Sequence, residues 1–388
     1  MGREKARMME ADERGWYAPD GYVCDDCVED NFLKEIIQEN ACQRVCDYCG
    51  RRTRAHSAAP VEVLMEPIAS AVFYYYNDPT ESMMSWDYEE DSWPLETTDT
   101  RDVLESLAFD CHPDLFEDIA KSFVHDEWVE TAGGTWMGSH PHEEMGYLWD
   151  HFVRIVKHEL RYFFDHPLPN STEEQYDPST LLPTIGSLVK RLGILDALPD
   201  GTSLFRARKK DLDDFSLDAE ELGAPPSELA SAGRMNPAGI SYLYLAFDHQ
   251  TALAEIQHKQ SDQSAIGQFQ LVKDVQILNL TKLPELPSIF EDNSRSEREE
   301  LIFLKNFIQE ITKPVEKDNR MNIDYVPSQV VSEYFSLVFK PKNGERLDGI
   351  IYPSAVHPDG QNLVLFPTAR GYERKFDQVE FISASMAP

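Results

Sequence analysis

Two Cys-x2-Cys pairs, Cys24 with Cys27 and Cys46 with Cys49, constrain this chain more than any other local feature. Two knuckles of this spacing suit one tetrahedral ion, expected to be zinc, and such a site ties the start of the chain into a closed loop. The spacer between them has room for one short helix, in which Phe32, Ile36 and Ile37 recur at helical intervals and cover the site from one side. Cys42 sits one turn before Cys46 and could replace one of the four ligands. Five of the six cysteines cluster here, which suits metal ligation better than a disulfide framework, and Cys111 is expected to be an inert buried thiol.

No apolar run approaches membrane-spanning length, and the opening MGREKARMMEADERG lacks the apolar core of a signal peptide, so a cytoplasmic protein without a membrane partner is expected. At 388 residues the chain is long enough for two or three domains, each with its own core. A hydrophobic fraction of 41% with 11% aromatics excludes a disordered chain. The formal charge of -33, from 69 acidic against 36 basic side chains, repels nucleic acid and anionic membrane over most of the surface. Any anion site is therefore a local basic pocket. Arg44, Arg51, Arg52 and Arg54 form a dense basic cluster that reads as a solvated face or as contact with neighbouring acids.

The pattern divides the chain into a cysteine module over residues 1–58, a helical domain over 59–166, a linker over 167–180 and a second domain over 181–388. The helical domain is clearest in EEMGYLWDHFVRIVKHELRYFF, where Met145, Leu148, Trp149, Phe152, Val156, Leu160 and Phe163 line one face. Acids dominate between Asn77 and Asp118, with Trp86, Tyr88 and Trp93 among them, which reads as a solvated loop with packing aromatics. The linker is rich in Pro, Ser and charge. Beyond it come short β-rich runs such as SYLYLAF, GQFQLV and DGIIYP, so the overall class is α+β with a mixed α/β C-terminal domain.

Three residues of that domain stand near the ends of predicted strands, where loops converge: Arg206 in SLFRARKK, Glu255 in TALAEI and Ser354 in IIYPSAV. Each alone is ordinary. Together with the turn and strand GRMNPAGISYLYLA and the helix start DYVPSQVVSEYF they resemble the RES family, over roughly Leu204 to Phe366, with Arg206, Glu255 and Ser354 at the arginine, glutamate and serine that name it. The N-terminal half resembles the HEPN/RES N-terminal domain found ahead of some RES domains, and Arg161-x4-His166 matches the spacing of the HEPN ribonuclease motif.

The RES resemblance implies a fold like ADP-ribosyltransferase toxins and an NAD-degrading enzyme, a glycohydrolase or phosphorylase, acting as a toxin or defence effector, in some cases with an antitoxin. The residue types suit that chemistry. The bond from nicotinamide to ribose breaks through an oxocarbenium-like state and the pyridine leaves neutral, so a carboxylate such as Glu255 is needed and a general acid is not. Arg206 suits the pyrophosphate of NAD, and Arg234 could assist or hold an attacking inorganic phosphate. Asn236 would project toward the anionic substrate, Ser354 could donate to the ribose or place the acceptor, and either Tyr242 or Tyr244 could stack on nicotinamide. The other readings are ADP-ribose transfer to a macromolecule, a nucleotide-binding sensor or adaptor, and a ribonuclease site at Arg161 and His166. The fusion suggests that the N-terminal half regulates the enzyme through an activating partner or trigger.

Overall fold

The computed structural model describes residues 9–88, 93–164, 178–209, 216–259, 263–314, 321–341, 344–368 and 375–387. They form two compact units, Met1–Glu144 with Glu285–Glu300, and Met145–Pro284 with Leu301–Pro388. The overall class is α+β, with helices and a large mixed sheet.

In the first unit, β1 (Tyr22–Cys24) pairs antiparallel with β2 (Ala58–Pro60), placing Cys24 opposite Ala58. Between them α1 (Asn31–Glu39) occupies the spacer, started by Asp30, whose carboxylate accepts from Leu33 N at 3.0 Å. It buries Leu33 and Ile37, with Phe32 and Ile36 only partly buried against the same core. The apolar α2 (Glu62–Tyr75) buries six side chains there and carries Pro67 inside it.

This half is not purely helical. β3 (Tyr76–Asn77), β4 (Thr98–Asp99) and β5 (Glu127–Glu130) form a small antiparallel sheet with β5 in the middle. Its strands are too short for alternation to register, and β5 is held by Trp128, which is fully buried with its indole N–H donated to Thr100 Oγ1 at 2.9 Å. Two short helices, α3 (Thr100–Ser106) and α4 (Pro113–Ala120), lie between β4 and β5. Arg51 of the basic cluster pairs with Asp25 and Asp26, as contact with neighbouring acids requires. Glu299, at 1% exposure, accepts from Tyr75 Oη at 3.1 Å and meets His142 Nδ1 at 2.5 Å.

α5 (Pro141–His158) buries Leu148, Trp149, Phe152, Ile155 and Val156, five residues of one stripe. It ends before Leu160 and Phe163, because Leu160 N turns back to Ile155 O at 2.9 Å and closes the last turn, and Phe163 is left exposed.

In the second unit, α6 (Leu181–Arg191) precedes an eight-stranded sheet, made of β6 (Leu195–Leu198), β7 (Ser203–Lys209), β8 (Leu243–Ala246), β9 (Ser264–Leu271), β10 (Val275–Asn279), β11 (Gly349–Pro353), β12 (Gln361–Leu365) and β13 (Val379–Met386). The helices between its strands are α7 (Ala219–Leu222), α8 (His249–Glu255), α9 (Arg295–Thr312), α10 (Met321–Asp324) and α11 (Val326–Leu337). The strand order is β13-β9-β7-β8-β12-β11-β10-β6, antiparallel at every junction but β10 with β11.

The central strands are buried on both faces, which is why they read as nearly continuous apolar runs. Ile350, Tyr352 and Val364 join the core with residues of α6, α9 and α11, while Leu243, Leu245, Ile351, Leu363 and Leu365 point into a second core on the other face. Each such Leu or Ile contributes about 1.5–3 kcal/mol by leaving water. This two-sided packing fixes the strand ends from which the site is built.

Candidate active site

The middle of β7, parts of β8, β11 and β12, the turn before β8 and the last residues of α8 line a cavity of about 340 Å³. Arg206, Arg234, Tyr244, Glu255, Tyr352 and Asn362 are among its lining residues. In a chain of charge -33 the cavity gathers two guanidinium groups against one carboxylate, the local basic pocket that an anion would need.

Arg206 stands in the middle of β7, opposite Gly267, and its Nη1 donates to Gly223 O at 2.7 Å. Burial, followed by the neighbouring Arg208, pushes the guanidinium down to about 10, so it keeps its charge at neutral pH. One donor is used by the protein, leaving others in the fork for a ligand.

The turn Gly233–Asn236 is held from several sides. Gly233 N donates to Asn236 O at 2.9 Å, and Gln329 Nε2 of α11 donates to Gly233 O at 2.8 Å and to Asn236 O at 3.0 Å. The glycine is required for space and not for its φ: a Cβ there would lie 2.6 Å from Asn236 Oδ1 and 2.8 Å from Tyr244 Oη. Arg234 donates from Nη1 to Ile311 O at 3.1 Å and Lys313 O at 2.7 Å, with its guanidinium carbon 5.6 Å from the ring centre of Tyr325. Asn236 is 3% exposed, spends its amide N–H groups on Ser231 O, Pro237 O and Ile240 O, and is not a lining residue.

Tyr244 lines the cavity through its ring, while its hydroxyl donates to Asn236 Oδ1 at 2.7 Å and accepts from Met235 N at 3.0 Å. Burial pushes the phenol well above its ordinary range. Tyr242 instead packs on Phe366, ring centres 5.1 Å apart, and lines a different cavity at the start of β8.

Glu255 is the last residue of α8, the short helix that Asp248 caps by accepting from Thr251 N at 2.7 Å. Ala252 buries the inner side of this helix, so Glu255 comes round at its open end. Its Oε1 accepts from Ser354 Oγ at 2.7 Å and from Asn362 Nδ2 at 2.6 Å. Ser354 follows Pro353, the last residue of β11, in a loop closed by Ser354 N to Gly360 O at 2.8 Å. The same loop is pinned to α8 by His357 Nδ1 and Thr251 Oγ1, 3.0 Å apart.

The structure thus brings Arg206, Arg234, Tyr244 and Glu255 to one cavity, with Ser354 bonded to Glu255. Asn362, Tyr325 and Tyr352 are the residues that sequence reasoning missed. Asn362 sits in NLVLF, where a polar residue at a strand start reads as a turn residue, and nothing local pairs it with position 255.

In the first unit Cys24, Cys27, Cys46 and Cys49 form a cluster whose sulfurs lie within 4.8 Å of one another. Three separations are 3.5, 3.6 and 3.8 Å, close to the ~3.8 Å edge of a tetrahedron with bonds of about 2.3 Å to sulfur. Cys46 Sγ also accepts from Cys24 N at 3.4 Å. Burial pushes the Cys24 thiol up to about 11, while Cys46, although burial acts to raise it, is lowered by backbone hydrogen bonds from Cys49, Cys24 and Tyr48. The donor set therefore fits a metal ion. Cys42 is exposed and outside the cluster, and burial pushes the half-buried Cys111 up to about 12.

Arg161 is exposed, and His166 lies outside the described residues, as does the expected linker up to residue 177. No helix among the described residues is long and apolar enough to cross a membrane.

Comparison with known families matches HEPN/RES N-terminal domain 1 over residues 39–170 and the RES domain over residues 203–382. The second match contains Arg206, Glu255 and Ser354; the first contains Cys46 and Cys49 but begins after Cys24 and Cys27. No curated protein matches the chain.

Proposed function

We propose that this chain, which carries a RES domain behind a HEPN/RES N-terminal domain, cleaves the bond between nicotinamide and ribose of NAD. A RES domain points to an enzyme acting on NAD. The observation that carries the reading is the carboxylate of Glu255, fixed by Ser354 and Asn362 in a cavity shared with two arginines.

Arg206 and Arg234 hold the pyrophosphate, and Glu255 stabilises positive charge as it builds on the ribose ring. With Oε1 occupied by two donors, the carboxylate is held in one orientation, which leaves Oε2 for the substrate. Ser354 acts through Glu255. Tyr244 offers a ring face to the nicotinamide, while Tyr242 and Asn236 support the walls, in place of the direct contacts expected for them. The fold resemblance to ADP-ribosyltransferase toxins belongs to this reading, as do zinc in the four-cysteine cluster and a cytoplasmic location.

Depletion of NAD makes such an enzyme a toxin or defence effector, with the N-terminal half restraining, activating or targeting it and an antitoxin or activating partner as its control. Incubation of the full chain with NAD, with and without inorganic phosphate, followed by mass spectrometry, tests the reading. Nicotinamide with ADP-ribose identifies a glycohydrolase, and ADP-ribose phosphate a phosphorylase. Both products must disappear in Glu255→Ala. Intact NAD under activating conditions, or turnover equal in that variant, would rule the reading out.

A further inference from the structure

We propose that Tyr352 orients the substrate in this cavity, its phenol donating to a hydroxyl of the nicotinamide ribose whose own proton Glu255 accepts; the inference rests on the proposed function of the same cavity.

Tyr352 is 7% exposed and lines the cavity. Its hydroxyl has no hydrogen-bond partner among the described residues, and it is not among the fully enclosed unpaired polar atoms, so it reaches the cavity space. A hydroxyl that the surrounding side chains leave without a partner at a cavity wall is available as a donor to whatever occupies the cavity. Tyr244 on the same cavity shows the contrast, with its hydroxyl satisfied as donor and as acceptor.

The position of the phenol says what it faces. Tyr352 lies directly opposite Asn362 in the β11 and β12 pair, and opposed residues of an antiparallel pair put their side chains on one face. Asn362 donates to Glu255 Oε1 at 2.6 Å, and Ser354, two residues beyond Tyr352, donates to the same oxygen at 2.7 Å. The phenol therefore flanks the carboxylate. Burial, then Tyr244 and Glu255, hold Tyr352 well above the ordinary phenol range, which keeps its proton in place as a donor.

Glu255 Oε2 accepts nothing from the described residues. A free carboxylate oxygen beside an unpaired phenol offers one acceptor and one donor to the same small space. A carbonyl could not donate to the first, and an ammonium could not accept from the second. A hydroxyl does both on one oxygen, whereas a carboxamide needs two separated atoms to do so. On the substrate side of a carboxylate that stabilises the cleaving ribose, that hydroxyl is one of the two on the ribose itself.

The test is a cycle between Tyr352→Phe and the substrate, using NAD and its two analogues lacking one or the other hydroxyl of the nicotinamide ribose. The variant should lose about tenfold or more in kcat/KM on NAD and nothing further on one deoxy analogue. Its melting temperature should be unchanged or higher, since no protein hydrogen bond is removed. An equal loss on all three substrates, as a phenol holding attacking water would give, overturns the assignment to the ribose. An active wild type with an unimpaired variant overturns the inference alone. A wild-type chain that neither binds nor cleaves NAD overturns the proposed function and this inference with it, and where binding survives without turnover the dissociation constants carry the same cycle.

Discussion

Ser354 Oγ donates to Glu255 Oε1 at 2.7 Å although the two residues stand 99 positions apart. Asn362 reaches the same oxygen at 2.6 Å, so one carboxylate is fixed from β12 and from the loop after β11. A hydrogen bond to a charged group contributes about 1.5–3 kcal/mol, which is why the orientation of Glu255 depends on both donors.

Loss of the carboxylate should exceed loss of either donor. Glu255→Ala should lower kcat on NAD by on the order of a hundredfold or more, by analogy with removing one preorganised stabilising group. Ser354→Ala and Asn362→Ala should each lose about tenfold, and the double variant less than the product of the two, since both act on one oxygen. Steady-state kinetics of the four variants decide this.

Gly233→Ala should damage the site from outside the chemistry. Its Cβ would lie 2.6 Å from Asn236 Oδ1 and 2.8 Å from Tyr244 Oη, forcing apart the two atoms that bond to each other at 2.7 Å. A destabilisation of about 1–3 kcal/mol is expected, with weaker substrate binding, measured by denaturant unfolding and calorimetry.

Removing metal should unfold the start of the chain. Cys24→Ser, or chelation, should abolish the bound ion and expose Leu33 and Ile37 of α1, because α1 bridges the two cysteine pairs. Cys42→Ser should leave metal content unchanged. Elemental analysis with hydrogen exchange over residues 20–60 distinguishes the two cases.

The pair of His142 and Glu299 predicts a pH window of stability. The hydrogen bond to Glu299 raises the His142 pKa above its ordinary 6.5 despite burial. That contribution is full below the unfolded value and is lost as pH rises through the raised one. Glu299, although burial acts to raise it, is lowered from 4.5 by His142, so its contribution is present above the unfolded value and lost as pH falls through the lowered one. The pair is therefore most stabilising between about pH 4.5 and 6.5. Thermal melts should fall from pH 6 to pH 8.5 by a margin that His142→Gln reduces; an unaltered margin would refute the assignment.

The sequence by itself determined the elements whose causes are local. The four cysteines declare by their spacing that they can converge on one point, Asp248 starts α8 because its side chain reaches Thr251 N, and the apolar runs of β8, β11 and β12 mark strands buried on both faces. The RES match over residues 203–382 agrees with Arg206, Glu255 and Ser354 as residues of one domain. The end of α5 and the small sheet around Trp128 escaped, since a closing turn and strands of two to four residues leave no period to read.

Tertiary structure alone decided the partners. β12 lies between β8 and β11, a neighbourhood that follows from sheet order and not from distance along the chain, and only this order puts Asn362 on Glu255 and sets Tyr352, whose hydroxyl is unpaired among the described residues, opposite Asn362. The same holds for Gly233, whose need for a missing side chain arises from Asn236 and Tyr244 closing over it. Local pattern follows from short-range sterics and hydrogen bonding, whereas these contacts depend on which strands become neighbours when both faces of the sheet are covered.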